Sequence, residues 1–188
     1  MPEVLVSLVP WILGGVVLVG IVVSLVFNVS GTWERMPSDE EQAELEANPY
    51  RTPARERLVL GQFGPFVTGR RDVLGGWQEF GGTMLFSTLR LTRRDHGLRA
   101  LTSQGFPEPI AKLIDGDVTG KLRLHLTAAG LLLDGSFTPQ KIEFTHRPPR
   151  ITSRFFLDPT PRRYRRLTAE EIAGARELVA SQVEEQPT

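Results

Sequence analysis

Few of the 188 residues in this sequence are of the kinds that do covalent or acid–base chemistry. Cysteine is absent, which excludes thiol nucleophiles, disulfides and Cys-ligated zinc or iron–sulfur centres. There are three histidines, His96, His125 and His146. His96 follows Asp95 in Arg93-Arg94-Asp95-His96-Gly97. Adjacency along the chain does not make a dyad, because a base must reach its proton through space. His125 alternates with Lys121 and Arg123 on the polar face of a predicted strand, and His146 precedes Arg147-Pro148-Pro149. Asp115-Gly116-Asp117 is the nearest approach to a metal pair. Two such carboxylates hold a hard cation only when further oxygens converge, and the remaining positions of a calcium loop are not filled. A helix-to-strand turn explains the triplet equally well. Neither GxSxG nor GxxxxGK[ST] occurs, and the glycines from Gly61 to Gly69 lack the Lys-Ser/Thr of a phosphate cradle. These residues predict no catalytic centre, no metal and no cofactor. An enzyme built on this chain would have to use Asp115, Asp117 and one histidine.

The arginines carry a stronger message. Lys+Arg and Asp+Glu both total 22, so the formal net charge is zero. Residues 51–166 nevertheless hold 20 basic against 10 acidic side chains, while 28–50 and 167–188 are net acidic. The clusters Arg90, Arg93 and Arg94, and Arg162, Arg163, Arg165 and Arg166, form the candidate membrane or partner patch. The second cluster is preferred because it lies between the strands and a terminal helix. Near an anionic leaflet each base is worth about 1 kcal/mol. Solvated charges neutralised by the chain's own acidic arms are the competing explanation. An acidic protein of a membrane complex is a further possible partner. Nucleic acid is disfavoured, because no RNP, helix-turn-helix or finger pattern accompanies the charge.

Val4 to Phe27 is an uncharged run of 24 residues. As a helix it would be about 36 Å long, against roughly 30 Å of hydrocarbon. The flanking Met-Pro-Glu is not basic and no A-x-A-like site follows Phe27, so the run predicts a retained single span rather than a cleaved signal. Gly20 and Ser24 make a small-xxx-small pair suited to close helix packing. Arg35, the nearest base, lies C-terminal to the run. That leans the orientation towards a cytoplasmic body at a cytoplasmic membrane, with a periplasmic body as the alternative.

The expected organisation is a tail at 1–3, the span at 4–27, an acidic linker with a short helix at 28–56, a basic β domain at 57–166, and a terminal helix and tail at 167–188. Ser38 and Glu41 form a capping box for a helix over 39–47. From 57 onwards period-two alternation dominates. Leu122, Leu124 and Leu126 share one face of a strand, Lys121, Arg123 and His125 the other. Strands are expected at 57–62, 64–70, 76–81 and 83–93, with turns or bulges at Gly75-Gly76 and Gly81-Gly82. A four-strand meander follows, turning at Thr127–Gly130, at Pro139-Gln140 and at Arg147–Arg150. A helix interrupts at 107–114. Seven or eight short strands predict a small antiparallel barrel or sandwich. Thr168 and Glu171 cap an amphipathic C-terminal helix, and strands closed by one helix resemble pleckstrin-homology-like domains in architecture.

Two functions follow. One is a membrane-anchored, non-enzymatic interaction or scaffold protein that presents a basic β domain to anionic lipid or to a membrane complex. The other is a tethered barrel that binds a lipid or small hydrophobe. Neither the partner nor the oligomeric state is legible.

Overall fold

Alternation closes the chain on itself. A computed structural model of the chain describes residues 26–48, 56–127 and 130–174, together with Gly14, Gly15, Leu18 and Val22. The expected span, with Gly20 and Ser24, lies almost wholly outside the described residues. Among those described, no helix is long and apolar enough to cross a membrane.

The strands are β1 (Gly31–Met36), β2 (Arg57–Phe63), β3 (Phe66–Val73), β4 (Gly76–Leu85), β5 (Thr88–His96), β6 (Val118–Thr127), β7 (Leu132–His146), β8 (Pro149–Phe156) and β9 (Thr160–Arg166). Three short helices accompany them: α1 (Asp39–Ala47), α2 (Leu98–Ser103) and α3 (Glu108–Ile114). Each of β1 to β6 pairs antiparallel with the next, and β9 pairs with both β7 and β1. Eight strands therefore form a closed barrel with no free edge. The ninth, β8, lies outside it. It pairs with the second half of β7, from Gln140↔Phe156 to His146↔Pro149.

The barrel interior is filled. Val29, Trp33, Leu58, Met84, Leu89, Leu124 and Leu133 expose 1% of their surface or less, and Phe27 packs against the same cluster. Eight strands enclose a space just wide enough for side chains to fill. A second, smaller core lies to one side. There α2 and α3 lay Leu101, Ile110 and Ile114 against Ile142 of the projecting β7–β8 hairpin.

Several boundaries differ from those expected. The segment 28–56 contributes a barrel strand, β1, as well as the predicted helix α1 with its capping box. The strand was hidden because Trp33 is the one large aromatic among polar and acidic neighbours. Gly81-Gly82 is not a turn: β4 runs through it to Leu85. A Cβ on Gly82 would lie 1.9 Å from the Arg90 carbonyl oxygen, so the glycine lets β5 approach closely. Pro139-Gln140 is not a turn either. β7 is a single 15-residue strand, and Pro139 falls where its partner on one side changes from β9 to β8. A strand tolerates a missing N–H at such a place. The Thr168–Glu171 capping box forms, with Thr168 N donating to Glu171 Oε2 at 2.8 Å and Glu171 N to Thr168 Oγ1 at 3.2 Å. The remainder of the expected C-terminal helix, beyond residue 174, lies outside the described residues.

Candidate functional site: a charged mouth and an unpaired basic wall

Successive side chains on a barrel strand point alternately in and out. This rule disperses the arginine clusters that the sequence brings together. On β9, Tyr164 is buried and Arg162 and Arg166 share its face, while Arg163 and Arg165 take the other. Arg163 Nη2 lies 3.3 Å from Asp134 Oδ2. Arg165 is held between Glu171 at 2.6 Å and Glu34 at 2.7 Å. Those bonds raise its pKa, and the bond from Arg165 lowers that of Glu171. Arg166 donates to the Ser30 carbonyl and lies over the Trp33 ring. Arg162 sits 5.9 Å from the Phe137 ring centroid. The four arginines thus divide between two faces and make separate local contacts.

Other inward-facing charges plug one end of the barrel. Arg93 Nε lies 3.1 Å from Asp95 Oδ1 and donates to Thr119 Oγ1 at 3.0 Å, with the Phe137 ring 4.6 Å from the guanidinium carbon. Asp95 is 1% exposed. Burial pulls the Arg93 pKa down and the Asp95 charge opposes that pull. Glu56 collects three partners: Arg71 at 2.9 Å, the Tyr164 hydroxyl, which donates at 3.3 Å, and Arg35 at 3.9 Å. Arg35 also donates to both oxygens of Glu41, at 2.6 and 2.7 Å. Burial, then the charge of Glu56, pushes the Tyr164 phenol up, so it stays protonated and acts as a donor. Each of these carboxylates is engaged by arginine. The arrangement is a polar seal built of interlocked ion pairs.

The sequence signalled this seal only faintly. Glu56, Gln78 and Asp95 lie in phase with apolar inward residues of their strands, and a charge in phase with a core stripe is the cue for a buried pair.

The outer wall of β5 and β6 differs. Arg90 and Arg123 are exposed, stand directly opposite each other, and form no ion pair with a described residue. Directly opposed like charges on a sheet are destabilising. Lys121, exposed two residues from Arg123, packs its ammonium 4.2 Å from the Phe156 ring centroid. Arg94 donates to the Gly116 carbonyl at 2.9 Å. Of the predicted patch, Arg90 therefore keeps an unneutralised outward charge beside Arg123, while Arg93 turns inward.

Of the candidates for chemistry, His96 and Asp115 come within reach of each other, while Asp117, His125 and His146 are engaged elsewhere. Asp117 pairs with Arg154 at 2.7 Å, and Asp115 accepts from Gly97 N at 3.0 Å. His96 stacks on Trp77 and reaches Glu79 at 3.2 Å, with Asp115 at 3.9 Å. His125 bonds Thr88, and His146 meets the Phe144 ring edge-on. Among the described residues no three His, Asp or Glu side chains gather as a metal site would require. A shallow groove of about 500 Å³ runs along the outer wall of β2 to β4, between Val59, Arg70 and Trp77.

Fold and site together define a class: a closed, eight-stranded, antiparallel up-and-down barrel with a filled interior, a charge-sealed mouth and a side hairpin. Comparison with protein-family models, with curated proteins and with solved structures returns no match.

Proposed function

We propose that this chain is a membrane-anchored, non-enzymatic interaction module, a barrel held at an anionic bilayer by its N-terminal span and by charge. The observation that carries the reading is the way the uncharged run enters the barrel. Phe27, its last residue, already packs on the core, and Val29, two residues later, is fully buried. Val29 N donates to Gln62 Oε1 at 2.9 Å, and Val29 O accepts from the Trp33 indole at 2.8 Å. A span at 4–27 would be coupled to the barrel with no slack between them. The charge contribution falls to Arg90 and Arg123, whose mutual repulsion an anionic surface would relieve.

A filled interior speaks against a carrier of lipid in the lumen. The tethered-binder alternative would place its ligand in the outer groove, where Trp77 and Val59 offer an apolar wall.

The test is native mass spectrometry of the full chain released from bilayers of mixed phosphatidylcholine and phosphatidylglycerol. Retained lipid should be enriched in phosphatidylglycerol, and Arg90→Gln with Arg123→Gln should abolish the enrichment. Lipid retained in the bulk proportion by the unmodified chain would refute the charge contribution.

A further inference from the structure

In an up-and-down barrel every second turn falls at the same end. The turns β2–β3, β4–β5 and β6–β7 share one end with the start of β1, where the chain arrives from residues 4–27, and with the end of β9. Backbone links tie these pieces together. Met84 N donates to Pro65 O, Leu126 N to Ser87 O, and Arg166 N to Leu131 O.

Exposed turns ordinarily carry Gly, Pro, Asn, Asp or Ser. These three hold such residues, Gly64-Pro65, Ser87 and Gly130, but also carry large apolar side chains. Phe63 and Phe66 flank the Gly64-Pro65 turn at 87% and 62% exposure. Leu85, Phe86 and Leu131 occupy the other two turns, all more than half exposed. Among the described residues at the opposite end, Leu74 at 96% and Leu157 at 42% are the comparable connecting residues, and Leu113 of α3 is 60% exposed.

Phe86 adds an independent observation. Its φ is +51°, a positive value that the other described residues adopting one reach as glycines. Glycine or asparagine suits that conformation better. A phenylalanine there is unfavourable locally, and at 72% exposure no burial within the described fold offsets the cost. Burial against something outside the described fold would offset it.

We infer that this end of the barrel is a membrane-seated rim: Phe63, Phe66, Leu85, Phe86 and Leu131 enter the interfacial layer of the bilayer, and the barrel stands end-on. The occupant is lipid because the uncharged run reaches the barrel at this same end. Arg90 and Arg123 stand on the outer wall two residues from the first residue of β5, roughly 7 Å along the strand. That height matches a headgroup layer above apolar groups seated ~5–10 Å deep. The charged mouth then faces away from the bilayer. The inference rests on the anchored reading and extends it from tethering to orientation.

The absence of cysteine permits a clean test. Single cysteines are placed at positions 63, 86 and 131, with 74 and 113 as controls, and labelled with an environment-sensitive fluorophore. The full chain is reconstituted in phosphatidylcholine–phosphatidylglycerol vesicles containing nitroxide-labelled acyl chains, and each sample is also washed with alkaline carbonate. Blue-shifted emission quenched by the nitroxides at 63, 86 and 131, with 74 and 113 in water, supports the rim whatever the wash removes. Water-like emission at all five positions in a carbonate-resistant protein overturns the rim and leaves the anchor intact. Water-like emission in a protein that washes off overturns both. A blue shift without nitroxide quenching assigns the rim to a protein partner, a second copy included, and overturns the lipid assignment.

Discussion

Asp95 is the residue on which the sealed mouth turns. It is fully buried, and its partner Arg93 exposes only a fifth of its side chain. Removing one member of a buried pair costs about 3 kcal/mol or more, because the other is left uncompensated. Asp95→Ala should therefore lower the denaturant midpoint sharply, whereas Arg93→Met combined with Asp95→Leu should recover most of the loss. A double variant no better than the single one would show that the pair is not the source of the cost. Glu41 behaves differently, because it is nearly half exposed. The Arg35 guanidinium holds its carboxyl below the ordinary glutamate value of 4.5. A group depressed in the folded state lends stability above its unfolded pKa and withdraws it as pH falls through the folded one. Glu41→Gln should thus cost under ~1 kcal/mol at neutrality and matter least once the pH has fallen below the depressed carboxyl's own pKa. The measurement is the difference in unfolding free energy between variant and parent across that range. Phe86→Gly reverses the usual direction. It should stabilise the detergent-solubilised protein by about 0.5–1 kcal/mol, since glycine accepts the positive φ. A clear loss of stability would mean that the ring packs within the fold after all.

At the scale of elements, the barrel depends on strands approaching more closely than side chains allow. A Cβ on Gly82 would meet the Arg90 carbonyl at 1.9 Å, and one on Gly135 would meet the Arg123 carbonyl at 2.1 Å. Both contacts are with backbone, which cannot swing aside. Gly82→Val should destabilise by at least about 2–3 kcal/mol, read as a drop in melting temperature, while Gly81→Ala, with open space around it, should change little. The same positions show what alternation reveals and conceals. β6 was plain because Leu122, Leu124 and Leu126 alternate with charges without interruption. Sequence pattern splits β4 in two because a glycine pair has the same composition whether it bends the chain or admits a neighbour. Sequence pattern ends β7 at Pro139, whereas a strand that changes partners there tolerates a residue that usually ends one. β1 shows no alternation in sequence, because five of its six residues are only partly buried and its Glu34 faces basic residues on β2 and β9. The arginine clusters were visible, but their division between two faces and their ion pairs depend on the register between strands distant in sequence. The apolar rim had a local cue, Phe63-Gly64-Pro65-Phe66, in which a turn is flanked by aromatics.

For the whole molecule, closure gives the barrel two unlike ends. One is sealed by interlocked charges, and the other is ringed by exposed apolar turns and receives the chain from its uncharged first segment. The neutral total charge conceals this polarity, because acids of β1, α1 and the C-terminal turn are engaged by arginines of the barrel itself. Arg90 with Arg123, outward and without an ion pair among the described residues, lies nearer the apolar end. Seated at a membrane surface by its apolar end, the barrel would present the sealed mouth and β7–β8 hairpin to other molecules. The claim beneath this picture is that residues 4–27 hold the chain in a bilayer. Alkaline carbonate extraction of membranes from cells making the full chain tests it most directly. The protein should stay in the membrane pellet, and deletion of residues 4–27 should send the barrel to the supernatant. Recovery of the full chain in the carbonate supernatant would contradict it.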